Sequence, residues 1–293
     1  MIPEQIEKKA IQRIGEYTGM PTKFVSFRYT SGGCINSTGV IETEAGHFFI
    51  KWNLKNAFPN MFEAEFKGLE LLLKSETVRI PKPLFTEEAY TYSFLLTEYI
   101  VSGPRSGNYW EQLGQQLATM HQHTTNHFGL DHNNYIGSLP QVNNFANNWI
   151  DFFINQRLEV QLKRALDSGK LTQAIRNAFY RLFISLPSIL PENEPAALIH
   201  GDLWSGNLMT GPGGEPVIID PAVYYGNREI EIAFTTLFGG FDTVFYTAYE
   251  QTRPLAPGFF ERQEIYNLYP LLVHVNLFGG GYISQVERIV SRF

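Results

Sequence analysis

The hydrophobic pattern changes its period about a third of the way along the chain, and this change constrains the fold more than any other feature. Over residues 24–29, 40–44 and 47–52, β-branched and aromatic side chains run at strand spacing, and Glu44-Ala45-Gly46 supplies a turn between the last two. After Val101-Ser102-Gly103-Pro104 the apolar residues recur at helical spacing: Trp110, Leu113, Leu117 and Met120 in one stretch, Trp149, Phe152, Phe153 and Leu158 in another. Two periods separated by a Gly-Pro linker predict an α+β chain in two lobes. The first, residues 1–100, is an antiparallel sheet with one helix; a hinge follows near 98–104; the second, residues 105–293, is mainly helical.

Length permits this, because 293 residues exceed the usual size of one hydrophobic core. With 44% hydrophobic and 18% charged residues the chain can bury enough apolar surface to fold. A formal net charge of -6 without clustered Lys and Arg argues against a nucleic-acid partner. The single Cys34 cannot form an internal disulfide, and the polar start MIPEQIEKKA is no apolar leader, so a reducing cytoplasm is expected. The most apolar late stretch, residues 268–283, holds His274, Asn276 and three successive glycines, which predicts a buried helix and its end rather than a membrane span. A monomer or weak dimer is the expected state.

Locally, Ile6, Ala10, Ile11 and Ile14 predict a helix over 3–18, and Phe62, Phe66, Leu69 and Leu73 one over 62–74. Pro81 and Pro83 end helical character, and residues 94–97 read as a strand. Inside the helical half lie short strand-like runs at 196–200, 208–210 and 217–219, the last two joined by Gly211-Pro212-Gly213-Gly214. Residues 228–293 return to helix.

Those runs frame the segment that carries chemistry. In HGDLWSGNLM, Asp202 follows an apolar strand and Asn207 comes five residues later, just before the next strand. Beyond the turn the strand at 217–219 delivers Asp220, so the hairpin brings Asn207 and Asp220 to one edge. Such an oxygen pair suits Mg²⁺, which takes few protein ligands and completes its octahedron with water and phosphate. Asp202 beside it fits a base that accepts a hydroxyl proton, as in kinases. Upstream, Lys51 ends a strand after a glycine turn and before the helix with Glu65, where a Lys51–Glu65 pair would aim the ammonium at the α- and β-phosphates of ATP. Gly32-Gly33 lies between strands, where backbone N–H groups can approach phosphate with no Cβ in the way. The order Gly-Gly, Lys, Glu, Asp with Asn, Asp points to phosphoryl transfer on a protein-kinase-like fold.

HGDLWSGN resembles the fructosamine-kinase (ketosamine-3-kinase) family, a branch of the aminoglycoside-phosphotransferase-like kinases, with Trp204-Ser205-Gly206 the narrower signature. Gly32-Gly33-Cys34-Ile35-Asn36, Phe62-Glu63-Ala64-Glu65, the run Asp220-Pro221-Ala222-Val223-Tyr224-Tyr225-Gly226, Arg228-Glu229, Leu237-Phe238-Gly239-Gly240 and Leu277-Phe278-Gly279-Gly280-Gly281-Tyr282 extend the similarity over about residues 20–290. The resemblance implies ATP-dependent phosphorylation of the 3-hydroxyl of a small-molecule or protein-bound ketosamine, after which the adduct detaches. It implies Asp202 as base, Asn207 and Asp220 as Mg²⁺ ligands, Lys51 and Glu65 as phosphate-positioning residues, Glu98-Tyr99-Ile100 as the adenine hinge, and Trp204 as a wall of the sugar pocket.

Residue 231 is Glu where the family is expected to show Asp. Gly201 stands where protein kinases carry the arginine of HRD, so no receptor for an activation-loop phosphate is evident and the enzyme is expected to be constitutively competent. Cys34 is either a small residue in a tight loop or a thiol whose oxidation shuts the site. His200 is expected to pack beneath the loop, and His121, His123 and His127 read as solvated or capping. An aminoglycoside or choline kinase is the first rival, Glu229, Glu231 and Asp242 being its candidate acidic residues. A catalytically inactive kinase-like binding module is the second, and it predicts loss of Lys51, Asp202, Asn207 or Asp220, all of which are present.

Overall fold

The computed structural model describes residues 2–30 and 35–293. The chain forms two compact units, Met1–Gly107 with Met209–Ile219, and Asn108–Leu208 with Asp220–Phe293. Sequence alone puts the hairpin at 208–219 in the second lobe, whereas most of it packs with the first unit.

In the first unit a five-stranded antiparallel sheet has the order β1-β2-β3-β5-β4, with β1 at Phe24–Tyr29, β2 at Ser37–Thr43, β3 at Gly46–Leu54, β4 at Pro83–Ala89 and β5 at Tyr92–Glu98. Helix α1 (Glu4–Thr18) buries Ile6, Ala10 and Ile14 in one core with Phe48, Ile50 and Trp52 of β3 and Phe94 and Leu96 of β5. Helix α2 (Met61–Leu73) buries Phe62 and Leu69 with Leu95, which alternates to the opposite side of β5. Each fully buried large aliphatic or aromatic residue contributes about 1.5–3 kcal/mol, so these two clusters fix both helices on the sheet. Strand β4 escapes a sequence reading because it opens on Pro83. A proline is tolerated there because it is the first residue of an edge strand.

The second unit is mainly helical. Its helix α3 (Tyr109–Met120) packs against α8 (Thr243–Thr252) so closely that a Cβ on Gly114 would sit 2.4 Å from the Phe245 carbonyl. Two residues of β6 (Thr124–Thr125), then β9 (Ala196–Ile199) and β12 (Tyr224–Gly226), form a three-stranded sheet in the order β12-β9-β6. A small hairpin pairs β7 (Asn134–Ile136) with β8 (Leu139–Gln141). Helix α4 (Trp149–Phe152), capped by Asn148, runs through a π-helical turn at Phe153–Leu158 into α5 (Glu159–Asp167). Trp149, Phe152 and Phe153 are core residues, as their spacing predicts. Helix α6 (Gln173–Ile189) precedes β9; after β12 come α7 (Arg228–Phe234), α9 (Phe259–Tyr266), α10 (Leu268–Phe278) and α11 (Gly281–Val290). The hairpin β10 (Leu208–Thr210) and β11 (Pro216–Ile218) turns through Gly214, at φ +86, and Ile218 N–H donates to Arg79 O at 3.0 Å. Among the described residues no helix is long and apolar enough to cross a membrane.

Candidate functional site

Strand alternation sets the charged pair of the first unit. Because Phe48, Ile50 and Trp52 face α1, Lys51 between them points to the α2 side, and Glu65 lies one helical turn from Phe62 on that same side. The Lys51 Nζ to Glu65 Oε1 distance is 2.7 Å and both side chains are nearly buried, so the two charges need each other to offset lost hydration. At the end of β5, Glu98 accepts from Arg79 at 2.5 Å and from Lys82 N–H, the Tyr99 hydroxyl accepts from Arg28, and Ile100 is buried. These contacts fix the course of residues 98–100. Gly32, Gly33 and Cys34 lie outside the described residues.

In the second unit all four residues of β9 are buried, and His200 after them is fully buried too. Asp202 N–H donates to His200 Nδ1 at 3.3 Å, the underpinning expected of that histidine. Gly201 has φ +82, and a Cβ there would lie 2.1 Å from the Ala222 carbonyl oxygen, so backbone meets backbone at this point. Asn207 Nδ2 donates to both the Asp202 carbonyl, at 2.7 Å, and its carboxylate, at 3.1 Å. The loop 202–207 is thereby closed on itself, with both functional side chains on one side of it. Asp220, exposed, adopts φ +56, a strained conformation for a residue with a Cβ.

Electrostatics connect these groups. Burial pushes the Asp202 carboxyl well above its ordinary pKa; Asn207 opposes the rise, while the carboxylates of Asp220 and Glu231 add to it. Such a group holds a proton more readily than a solvated aspartate. Asn207 directs its amide nitrogen at Asp202, which turns its Oδ1 away from that bond, and the Asp220 side chain is exposed; these are the two oxygen-bearing groups that could face a cation. Among the described residues no group of three or more His, Cys, Asp or Glu could hold a metal by itself. An amide oxygen with one carboxylate is instead a fit for Mg²⁺ that also binds phosphate.

Trp204 lies across Gly206, where a Cβ would come within 2.3 Å of the indole, which accounts for the glycine after Trp-Ser. Its ring meets Phe238 edge-on at 5.6 Å, Phe238 meets His274 at 4.6 Å, and His274 meets Tyr282 at 4.9 Å. A shallow cleft lined by Leu237, Phe238, Gly281, Tyr282 and Gln285 runs along this aromatic row. Sequence reading names Phe238 and Tyr282 only as points of likeness; their link to Trp204 spans distant helices.

Reading from sequence also misplaces His121. Rather than solvated, it is fully buried, with Nε2 2.8 Å from Glu231 Oε2 and Nδ1 2.7 Å from the Tyr249 hydroxyl. The other Glu231 oxygen accepts from Gly201 N–H at 2.7 Å. Burial lowers the His121 pKa, which keeps the ring neutral, its Nε2–H donating to Glu231 and its Nδ1 accepting from Tyr249. Burial raises Glu231, but donation from His121 and Gly201 outweighs this and holds it below the ordinary value. Tyr249 is pushed up to about 12 by burial, so it stays a donor. Glu229 is tied to Arg262 at 2.6 Å, and Asp242 caps α8 by accepting from Val244 N–H.

The family model for fructosamine kinase matches residues 6–293. A probable ketoamine kinase of Synechocystis sp. is 38% identical over 286 residues, covering 96% of this chain and 94% of that protein. The chloroplastic protein-ribulosamine 3-kinase of Arabidopsis thaliana is 39% identical over 281 residues, covering 94% of this chain and 84% of its own length. Among solved structures, a candidate fructosamine-3-kinase from Haemophilus somnus superimposes with a TM-score of 0.88 at 27% identity, covering 97% of this chain and 96% of that one.

Proposed function

The chain belongs to the fructosamine kinase family, and from that premise we propose that it moves the γ-phosphoryl group of ATP to the 3-hydroxyl of a ketosamine, a fructosamine, ribulosamine or erythrulosamine adduct. As a member of that family it is an ATP-dependent phosphotransferase with an alcohol as acceptor. Loss of the phosphorylated adduct from the amine would make the reaction a deglycation step.

The pinned Asp202–Asn207 loop carries this reading. Asp202 accepts the proton of the attacking hydroxyl; its raised pKa makes the carboxylate a better proton acceptor, provided it starts ionised. Asn207 Oδ1 and Asp220 would hold Mg²⁺, which would supply positive charge to neutralise the phosphoryl group being transferred. Lys51, steadied by Glu65, aims at the α- and β-phosphates, and the backbone of Glu98-Tyr99-Ile100 contacts adenine. Trp204, with Phe238 behind it, walls the sugar. The 1–100 lobe with its 98–104 hinge binds nucleotide and the remainder binds acceptor.

An aminoglycoside acceptor is polycationic and needs unengaged carboxylates. Glu229, Glu231 and Asp242 are each spent on internal partners, which favours the ketosamine. We also place the protein in a reducing aqueous compartment as a monomer or weak dimer. Phosphorylation assays against fructosamines, ribulosamines, erythrulosamines, aminoglycosides and choline, with the phosphate position read by NMR, test the substrate. Activity confined to ketosamines and a phosphate on O3 are expected; inactivity on every ketosamine would withdraw the assignment.

A further inference from the structure

Directly after Asp220 the chain is gripped by a buried polar network. Gln141 Nε2 donates to the Ala222 carbonyl at 3.1 Å and Asn134 Nδ2 to the Val223 carbonyl at 2.8 Å. These two residues are cross-strand partners in the β7–β8 hairpin and are joined by a 2.7 Å bond from Gln141 Nε2 to Asn134 Oδ1. Ala222 N–H in turn donates to His200 O at 2.9 Å, so the gripped residue also touches the strand that carries Asp202.

Amides can flip, and a flipped Gln141 or Asn134 would set oxygen against carbonyl oxygen. Arg157, a donor with no acceptor capacity, prevents this by fixing Asn143, then Asn134, and through Asn134 Oδ1 also Gln141 Nε2. Arg157 is fully buried; its Nη2 donates to Asn143 Oδ1 at 2.7 Å, which forces Asn143 Nδ2 toward Asn134 Oδ1, at 2.9 Å, and so turns Asn134 Nδ2 to Val223. The Tyr269 hydroxyl donates to Gln141 Oε1 at 2.6 Å and leaves Gln141 Nε2 for Ala222. Arg157 forms no ion pair with a carboxylate among the described residues. Its guanidinium lies 3.9 Å from the Tyr224 ring centroid and 4.5 Å from that of Phe152. The π-helical turn that contains it is a local irregularity of the kind found at functional positions. Retaining a buried cation whose bonds run, through two amides, to the segment beside Asp220 needs a reason other than packing.

We propose that Arg157, Asn143, Asn134, Gln141 and Tyr269 are positioning residues, whose directed hydrogen bonds hold the backbone at 222–223 and thereby set the strained Asp220 at the distance from Asp202 and Asn207 that a divalent cation requires. This inference rests on the metal-ligand role proposed for Asp220. Outer partners of metal ligands typically change affinity about 10–100-fold when removed.

The test measures Mn²⁺ binding by electron paramagnetic resonance in the presence of a non-hydrolysable ATP analogue, for wild type, Gln141→Met, Tyr269→Phe and Asp220→Asn. Melting temperature and circular dichroism select the folded variants. Asp220→Asn is expected to abolish tight Mn²⁺ binding, Gln141→Met to weaken it about tenfold, and Tyr269→Phe to weaken it by a smaller factor, with analogue affinity in EDTA unchanged. If Asp220→Asn weakens Mn²⁺ binding while folded Gln141→Met and Tyr269→Phe bind it like wild type, the positioning role is overturned alone. If Asp220→Asn has no effect, the metal-ligand reading falls with it. Should Gln141→Met not fold, the isosteric Tyr269→Phe decides.

Discussion

Replacing His121 by Phe isolates the buried carboxylate that supports the catalytic loop. The variant keeps a ring of similar size but removes the donor to Glu231, a hydrogen bond to an ionised group worth about 1.5–3 kcal/mol, and the acceptor of Tyr249, worth about 1 kcal/mol more. A loss of about 3 kcal/mol in a unit of this size corresponds to a melting temperature lower by about 6–12 °C. The pH dependence has a definite sign. In the wild type Glu231 titrates below its ordinary 4.5, so its contribution is present above that value and is lost as pH falls through the lowered folded pKa. Without His121, burial raises Glu231, and protonation relieves the variant as the solution is acidified. Differential scanning fluorimetry at pH 7 and near pH 4.5 should therefore show a large gap from wild type that narrows in acid. Looser seating of Gly201, next to Asp202, should lower kcat about tenfold, since a displacement of 1 Å can cost about 100-fold. A melting temperature within 1 °C of wild type, or a gap that is the same at both pH values, would refute this account of the network.

Asp202→Asn should cut turnover about 100-fold or more while nucleotide binding persists. Because the folded pKa of Asp202 lies above its ordinary 3.8, the carboxyl stabilises the fold below that pH and loses the benefit as pH rises, so the asparagine variant should melt higher at pH 7 and match wild type near pH 3. A lower melting temperature at pH 7 would contradict the cost assigned to burying this charge. Arg262→Met strands the fully buried Glu229 and should cost about 3–5 kcal/mol in urea unfolding, most of it restored by adding Glu229→Gln; equal losses in single and double variants would count against a buried ion pair there.

Sequence yields four of the five strands of the sheet, the two helices around it and the helical remainder, because their apolar residues repeat often enough to reveal a period. It also brings out the loop pinned at Asp202 and Asn207, since both sit at strand ends only five residues apart. Long-range polar partners leave no such trace. His121 and Glu231 are 110 residues apart, and Gln141 and Ala222 are 81 apart, so nothing in the local pattern joins them. The β7–β8 hairpin and β12 are three residues per strand, too short for alternation to show. Trp204 is visible as a motif residue, yet its aromatic neighbours come from α10, α11 and the turn after α7, which only the fold assembles.

At Gly201 the backbone, at φ +82, approaches the Ala222 carbonyl too closely for a Cβ. A side chain at position 201 would collide with the Ala222 carbonyl, two residues past Asp220, so this backbone leaves no room there for the arginine that protein kinases carry in HRD. A chain closed to that arginine is expected to turn over equally before and after phosphatase treatment, with its flux following the supply of adduct and nucleotide.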